Sequence, residues 1–157
     1  MMPPEISADK ALPHEHQNLA HGHLVQHLPT DQELVLKVIP MPGDCNANGD
    51  IFGGWVMAQV DLAGSVLPAR AVRGRFATVA VNQFVFKQPV KVGDLLSFFS
   101  KVTHLGNTSI TVRVEVFAER IQSENEGYLK VTEASLTYVA IDEHGRPRPI
   151  KNPPKSA

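Results

Sequence analysis

A chain of 157 residues is long enough for one domain with a substantial core. Its net charge of −1 and pI near 6.6 exclude the basic footprint of a nucleic-acid binder or of a protein held to an anionic membrane surface. The single cysteine, Cys45, excludes an internal disulfide framework. With no apolar run near the roughly 20 residues of a spanning helix, and no basic and apolar leader, the expectation is a cytoplasmic protein.

Residues 1–32 read as a flexible tail in which Pro3, Pro4, Pro13 and Pro29 are scattered among polar residues. Five of the seven histidines lie there, namely His14, His16, His21, His23 and His27, without the spacing of a tetrahedral metal site. The apolar run Leu34–Ile39, closed by Pro40 and Pro42, is a strand.

Next comes a polar loop rich in Asn and Gly, followed by a helix from about Gly54 to Ala71. Val56, Val60, Ala63 and Leu67 form one stripe, while Met57, Leu62 and Val66 widen it beyond the apolar face of a surface helix. Such a rod, about 27 Å long, is expected to be wrapped by other structure, with Ala58, Ala63 and Gly64 allowing close approach. Pro68 is expected to kink the helix or end it early.

Four strands then follow, 78–86, 95–104, 109–119 and 129–142, punctuated by Pro89, Gly93-Asp94, Gly106-Asn107, a polar break at 122–127, and Gly145. One strand, one long helix and four strands joined by short links make an α+β chain. The sheet is largely antiparallel, five- to six-stranded, and curled around the helix. The domain is expected over 33–151, with a short tail at 152–157.

Asp61 is the only charge between Trp55 and Leu67. An ionised carboxylate on such a helix is costly and must shift its pKa or find partners. It is either a structural acid satisfied by backbone, Asn or Gln groups, or a general base or nucleophile in a low-dielectric cleft. Gly53 and Gly54 open the same helix, where unpaired N–H groups can stabilise an oxyanion if a substrate carbonyl lies there.

The stretch Asp44–Asp50 opens like a calcium loop, but its twelfth position is Trp55 instead of a bidentate Glu, and turn formation explains the composition equally well. Cys45 is an incidental loop residue, and Ser65 lies in no nucleophile elbow. Three cations, Arg146, Arg148 and Lys151, sit on a proline-stiffened C-terminal run. Such a run is ordinarily solvated but can also grip phosphates.

Four segments taken together are familiar: P-G-D-C-N-A-N-G-D-I-F-G-G-W-V-M-A-Q-V-D, V-A-V-N-Q-F-V-F-K-Q-P-V-K-V-G-D, G-N-T-S-I and G-R-P-R-P-I. Over roughly 33–151 the chain resembles the YciA-type acyl-CoA thioesterases of the hotdog-fold superfamily. The resemblance implies a helix wrapped by an antiparallel sheet, hydrolysis of acyl-CoA to free acid and CoA, and no metal or prosthetic group. It carries the acidic catalytic position onto Asp61, the Asn of the D-x-N segment onto Asn46, and the helix-start amides onto Gly53 and Gly54. Asn82, Lys87, Ser109, Arg146 and Arg148 are the candidates for the pantetheine and phosphates of CoA. The chain departs from the usual G-R-T-S at Gly106-Asn107-Thr108-Ser109, and from the usual continuous helix at Pro68.

Spacing adds a constraint of its own. Gly53 and Asp61 are eight residues apart, about 12 Å along a helix, yet an attacking group and an oxyanion donor must both reach one carbonyl at about 3 Å. Two antiparallel copies satisfy this, so the site is expected at a dimer interface. The resemblance further implies a trimer of dimers. The rival readings are a non-catalytic acyl-CoA sensor and a hotdog dehydratase or hydratase. The latter commonly uses His, and the only histidines past the tail are His104 and His144, away from the helix.

Overall fold

The computed structural model describes residues 24–121 and 127–150. His14, His16, His21, His23 and Lys151 lie outside the described residues. The elements in chain order are β1 (Leu24–Val25), β2 (Glu33–Val38), a 3-10 turn (Pro42–Asp44), α1 (Gly53–Val72), β3 (Phe76–Phe86), β4 (Asp94–Leu105), β5 (Ser109–Arg120) and β6 (Tyr128–Ala140).

All strand pairs are antiparallel. The sheet runs β2-β4-β5-β6-β3, with β1 beside the start of β6 through Leu24↔Leu129 and Val25↔Tyr128. Attachment to the sheet therefore begins before residue 33. Gln32 also reaches the outer side of the sheet, where its amide donates to the Glu115 carboxylate.

Alternation decides which sheet face meets the helix. Ile110, Val112, Val114 and Val116 of β5 are fully buried, as are Leu96 and Phe98 of β4 and Leu136, Tyr138 and Ala140 of β6. Against them α1 turns Val56, Val60, Ala63 and Val72. Each such Val, Leu or Phe contributes about 1.5–3 kcal/mol by leaving water.

One expectation for the helix needs correction. Pro68 does not end it: α1 continues to Val72, with Pro68 buried inside. A proline there removes the N–H that would have bonded to the carbonyl of Gly64, four residues back, and its ring crowds that carbonyl, yet the helix runs on. The antiparallel sheet curls around the helix as expected. Away from the sheet Met57 is 44% exposed and Leu62 59%, so that side of the rod stays open among the described residues. Among the described residues the neighbouring strand β3 pairs only with β6, and Val79, Val81 and Val85 on it are exposed.

Candidate active site

The loop before α1 is held by its own polar groups. Asn46 Oδ1 accepts hydrogen bonds from the backbone N–H of Asn48 (2.8 Å) and Asp50 (3.2 Å), an Asx arrangement that closes the turn. Gly49 supplies the positive φ of +82° that the turn needs. The Asp44 carboxylate accepts from the Met41 N–H at 2.8 Å. The oxygens that would open a calcium loop are thus turned onto amides, and the twelfth position, Trp55, lies inside α1. With its carbonyl oxygen engaged, Asn46 has its side-chain NH2 to offer a ligand.

The loop delivers the chain to Phe52, the N-cap, which makes no side-chain cap. The N–H groups of Gly53, Gly54 and Trp55 therefore stand at a positive helix end with no acceptor within the helix. Gly53 lies against the Phe86 ring, while open space surrounds Gly54. A cavity of about 420 Å³ opens here, lined by Asn46, Gly53, Val56, Phe86 and Lys87 among others. Lys87 Nζ also pairs with Glu133 at 3.1 Å.

Asp61, two turns along, is half-buried. Its Oδ1 accepts from Thr78 Oγ1 of β3 at 2.9 Å and from the Tyr138 hydroxyl of β6 at 3.0 Å. The same hydroxyl stands 3.0 Å from the Asp61 carbonyl oxygen. Burial, and then the Asp61 charge and hydrogen bond, push the Tyr138 phenol well above its ordinary pKa, so it remains a donor. Oδ2 of Asp61 makes no hydrogen bond among the described residues.

Asn46, Gly53 and Lys87 thus share one cavity, and Asp61 is not on its lining. The other candidates stand elsewhere. Ser109 closes the β4–β5 turn, its carbonyl accepting from Gly106 N–H at 2.8 Å. Arg146 is exposed beside Asp142. Arg148 presents no free guanidinium: it donates to the carbonyls of Ile141 (3.0 Å), Val72 (3.4 Å) and Pro149 (3.4 Å), capping the C-terminal end of α1. Asn82 is exposed on β3 opposite Ser135, just before a bulge where Gln83 has φ of 53°. His104 and His144 are both exposed and line no part of the cavity.

Sequence reasoning missed Thr78 and Tyr138, although a signal for the latter existed. A buried tyrosine needs a partner for its hydroxyl, and Gly64 in the helix interior marks a place where something approaches closely. A Cβ on Gly64 would stand 2.6 Å from the Tyr138 hydroxyl.

Comparison with known proteins places the chain in a family and a fold. The family model described as Thioesterase superfamily matches residues 48–124. The acyl-CoA thioester hydrolase YciA of Salmonella typhimurium is 45% identical over 119 residues, 75% of this chain and 90% of that protein. Its Escherichia coli counterpart is 43% identical over the same shares of both chains. Among solved structures, the hexameric thioesterase of Yersinia pestis superposes with a TM-score of 0.73 at 40% identity, covering 80% of this chain and all of that one. The hexameric hotdog fold thioesterase of Campylobacter jejuni gives 0.73 at 42% identity, covering 78% and 93%. With an open-sided helix, a lone acid on it and glycines at its start, the chain belongs to the YciA-type acyl-CoA thioesterase family and has the hotdog fold.

Proposed function

We propose that this protein hydrolyses acyl-CoA thioesters to free carboxylic acid and CoA, at sites completed between two copies of the chain. The observation that carries the reading is the separation of Asp61 from the cavity of Asn46 and Gly53, combined with the uncovered apolar side of α1 and the edge of β3 left unpaired among the described residues. Exposed apolar patches and bare strand edges are ordinarily covered by a partner. A two-fold axis that sets Asp61 against the partner's Gly53 also sets Met57, midway between them, against its own copy. Met57 is 44% exposed on that open side. The hexameric relatives support a trimer of dimers.

In this site the thioester carbonyl accepts from the N–H of Gly54, with Gly53 beside it. As water or Oδ2 of Asp61 attacks, the developing oxyanion is held by amides already oriented and with no acceptor inside the helix. Asp61 either takes the proton of the attacking water or forms a mixed anhydride that water opens. In both cases the C–S bond breaks and CoA leaves as the thiol. The NH2 of Asn46 orients the water or the substrate. Lys87 and Arg146 attract the CoA phosphates, Asn82 and Ser109 meet polar groups of the pantetheine arm, and Arg148 is reserved for the helix end. The chemistry draws on Asp61, water and backbone amides, with coenzyme A as part of the substrate and the cytoplasm as the proposed setting.

The test is CoA release from a panel of acyl-CoAs, followed with a thiol reagent. Steady release by the wild type, and a loss of about 10²-fold or more in Asp61→Ala and Asp61→Asn, are expected. Wild-type rates in both variants would remove the role of Asp61, and binding without release would identify a sensor. Co-refolding Asp61→Ala with Asn46→Ala probes the shared site. Random pairing of two inactive chains regenerates one intact site in half of the dimers, about a quarter of wild-type activity. No regain would mean that each chain holds a whole site.

A further inference from the structure

We infer that Tyr138 and Thr78 are positioning residues that jointly tether Oδ1 of Asp61 and leave Oδ2 as the reacting oxygen. The inference rests on the proposed hydrolysis and assigns the two oxygens of its carboxylate different tasks. Left to itself, a carboxylate on a helix turns about its last torsion, and a reacting group must be held near one geometry for efficient attack. Here two hydroxyl donors from two different strands converge on the same atom, at 2.9 Å from β3 and 3.0 Å from β6. Tyr138 also reaches the Asp61 carbonyl oxygen at 3.0 Å, so one hydroxyl registers both the side chain and the backbone of the acid.

The tether is itself braced. The Tyr138 side chain is fully buried, and its ring meets Phe76 edge-on at 5.8 Å. Its hydroxyl fits against α1 only because residue 64 has no side chain, since a Cβ there would come within 2.6 Å of it. Glycine weakens a helix interior, and its place one turn after Asp61 has a reason if the tyrosine must reach that carboxylate. A tyrosine needing only to satisfy its own proton would be content with the backbone carbonyl. The convergence of Thr78 on the same Oδ1 is what a purely structural account leaves unexplained.

Tyr138→Phe keeps the ring and removes the hydroxyl, and Thr78→Val removes the second donor at nearly constant volume. On the acyl-CoA that the wild type turns over fastest, each is expected to lower kcat about tenfold while KM stays within about twofold and the oligomer and Tm are retained. Thr78→Ser, which keeps the donor, restores kcat. Gly64→Ala pushes the hydroxyl off Oδ1 and lowers kcat in the wild type, but adds little in the Tyr138→Phe background. Unchanged kcat in Tyr138→Phe and Thr78→Val, with the wild type active, overturns the tether and leaves the hydrolase reading standing. So does a loss confined to Tm, or one that Thr78→Ser does not recover. A wild type that releases no CoA from any acyl-CoA removes both together.

Discussion

Gly53 at the start of α1 and Phe86 at the end of β3 stand so close that a Cβ on the glycine would lie 3.2 Å from the ring's Cζ. At Gly54, one residue on, nothing lies within 4 Å of the same position. The ring is a wall of the cavity, and in the proposed site it steers the ligand toward the helix start. Gly53→Ala should therefore displace the ring by a few tenths of an ångström and lower kcat/KM about tenfold. Gly54→Ala should lose less, because alanine keeps the backbone N–H and nothing in the chain must move. Equal losses in a side-by-side kinetic comparison would contradict the assignment of Phe86.

Asn46 has two separable tasks. Its Oδ1 holds the N–H groups of Asn48 and Asp50, and in the proposed mechanism its NH2 is the group that meets the ligand. Asn46→Asp keeps the acceptor and discards the donor, so it should melt near the wild type while losing about tenfold or more in kcat. Asn46→Ala should lose both activity and about 1 kcal/mol of stability. Thermal melts alongside kinetics check this, and full activity in Asn46→Asp would argue that the residue serves the loop alone.

Met57 tests the assembly. An apolar side chain facing its own copy across a two-fold axis tolerates no charge, because two carboxylates would be desolvated together. Met57→Asp is expected to shift the oligomer to monomer in sedimentation and to abolish CoA release with it. An active variant of unchanged size would place the axis elsewhere.

On the outer face of the sheet, Lys130 donates to both Glu115 and Glu133, and Arg113 reaches the same two carboxylates at 3.1 and 2.9 Å. The Lys130 hydrogen bond, opposed by burial and aided by Lys87 and Arg113, holds Glu133 down from 4.5 to about 2. At Glu115 burial works upward, but the bonds from Lys130 and Gln32 prevail and keep it below its ordinary value. A carboxylate depressed on folding stabilises fully above its unfolded pKa and loses that contribution as pH falls through the folded one. Stability should thus be level from pH 7 to about 5 and decline between 4.5 and about 2. Glu133→Gln should lower Tm at pH 7 and flatten the slope in that window. A slope unchanged by the substitution would show that other carboxylates govern acid unfolding.

Much of this was legible in the chain. The alternation of Ile110, Val112, Val114 and Val116 and the stripe of Val56, Val60 and Ala63 are repeats among near neighbours, and the strands and helix follow from them within two or three residues at each end. Asp61 stood out because a lone charge on an apolar helix is conspicuous wherever the rest of the chain lies. Its partners did not stand out. Tyr138 is 77 residues away and Thr78 is 17, and their convergence depends on which strands cross α1 at which turn. Arg148 reads as a free cation and is spent instead on the carbonyl of Val72, 76 residues earlier.

Periodicity and turn chemistry are local properties, set by the pitch of the helix and the pleat of the strand, so the order of elements and the oddity of one acid could be read in one dimension. Register, exposure and hydrogen-bond convergence belong to the packed sheet. Folding chose which hydroxyls meet Oδ1, carried Asp61 away from the cavity of Asn46 and Gly53, and left one side of α1 bare. The physical reason is that a short-range interaction carries no sequence separation: the chain must be closed into loops of tens of residues before 3 Å contacts exist to be counted.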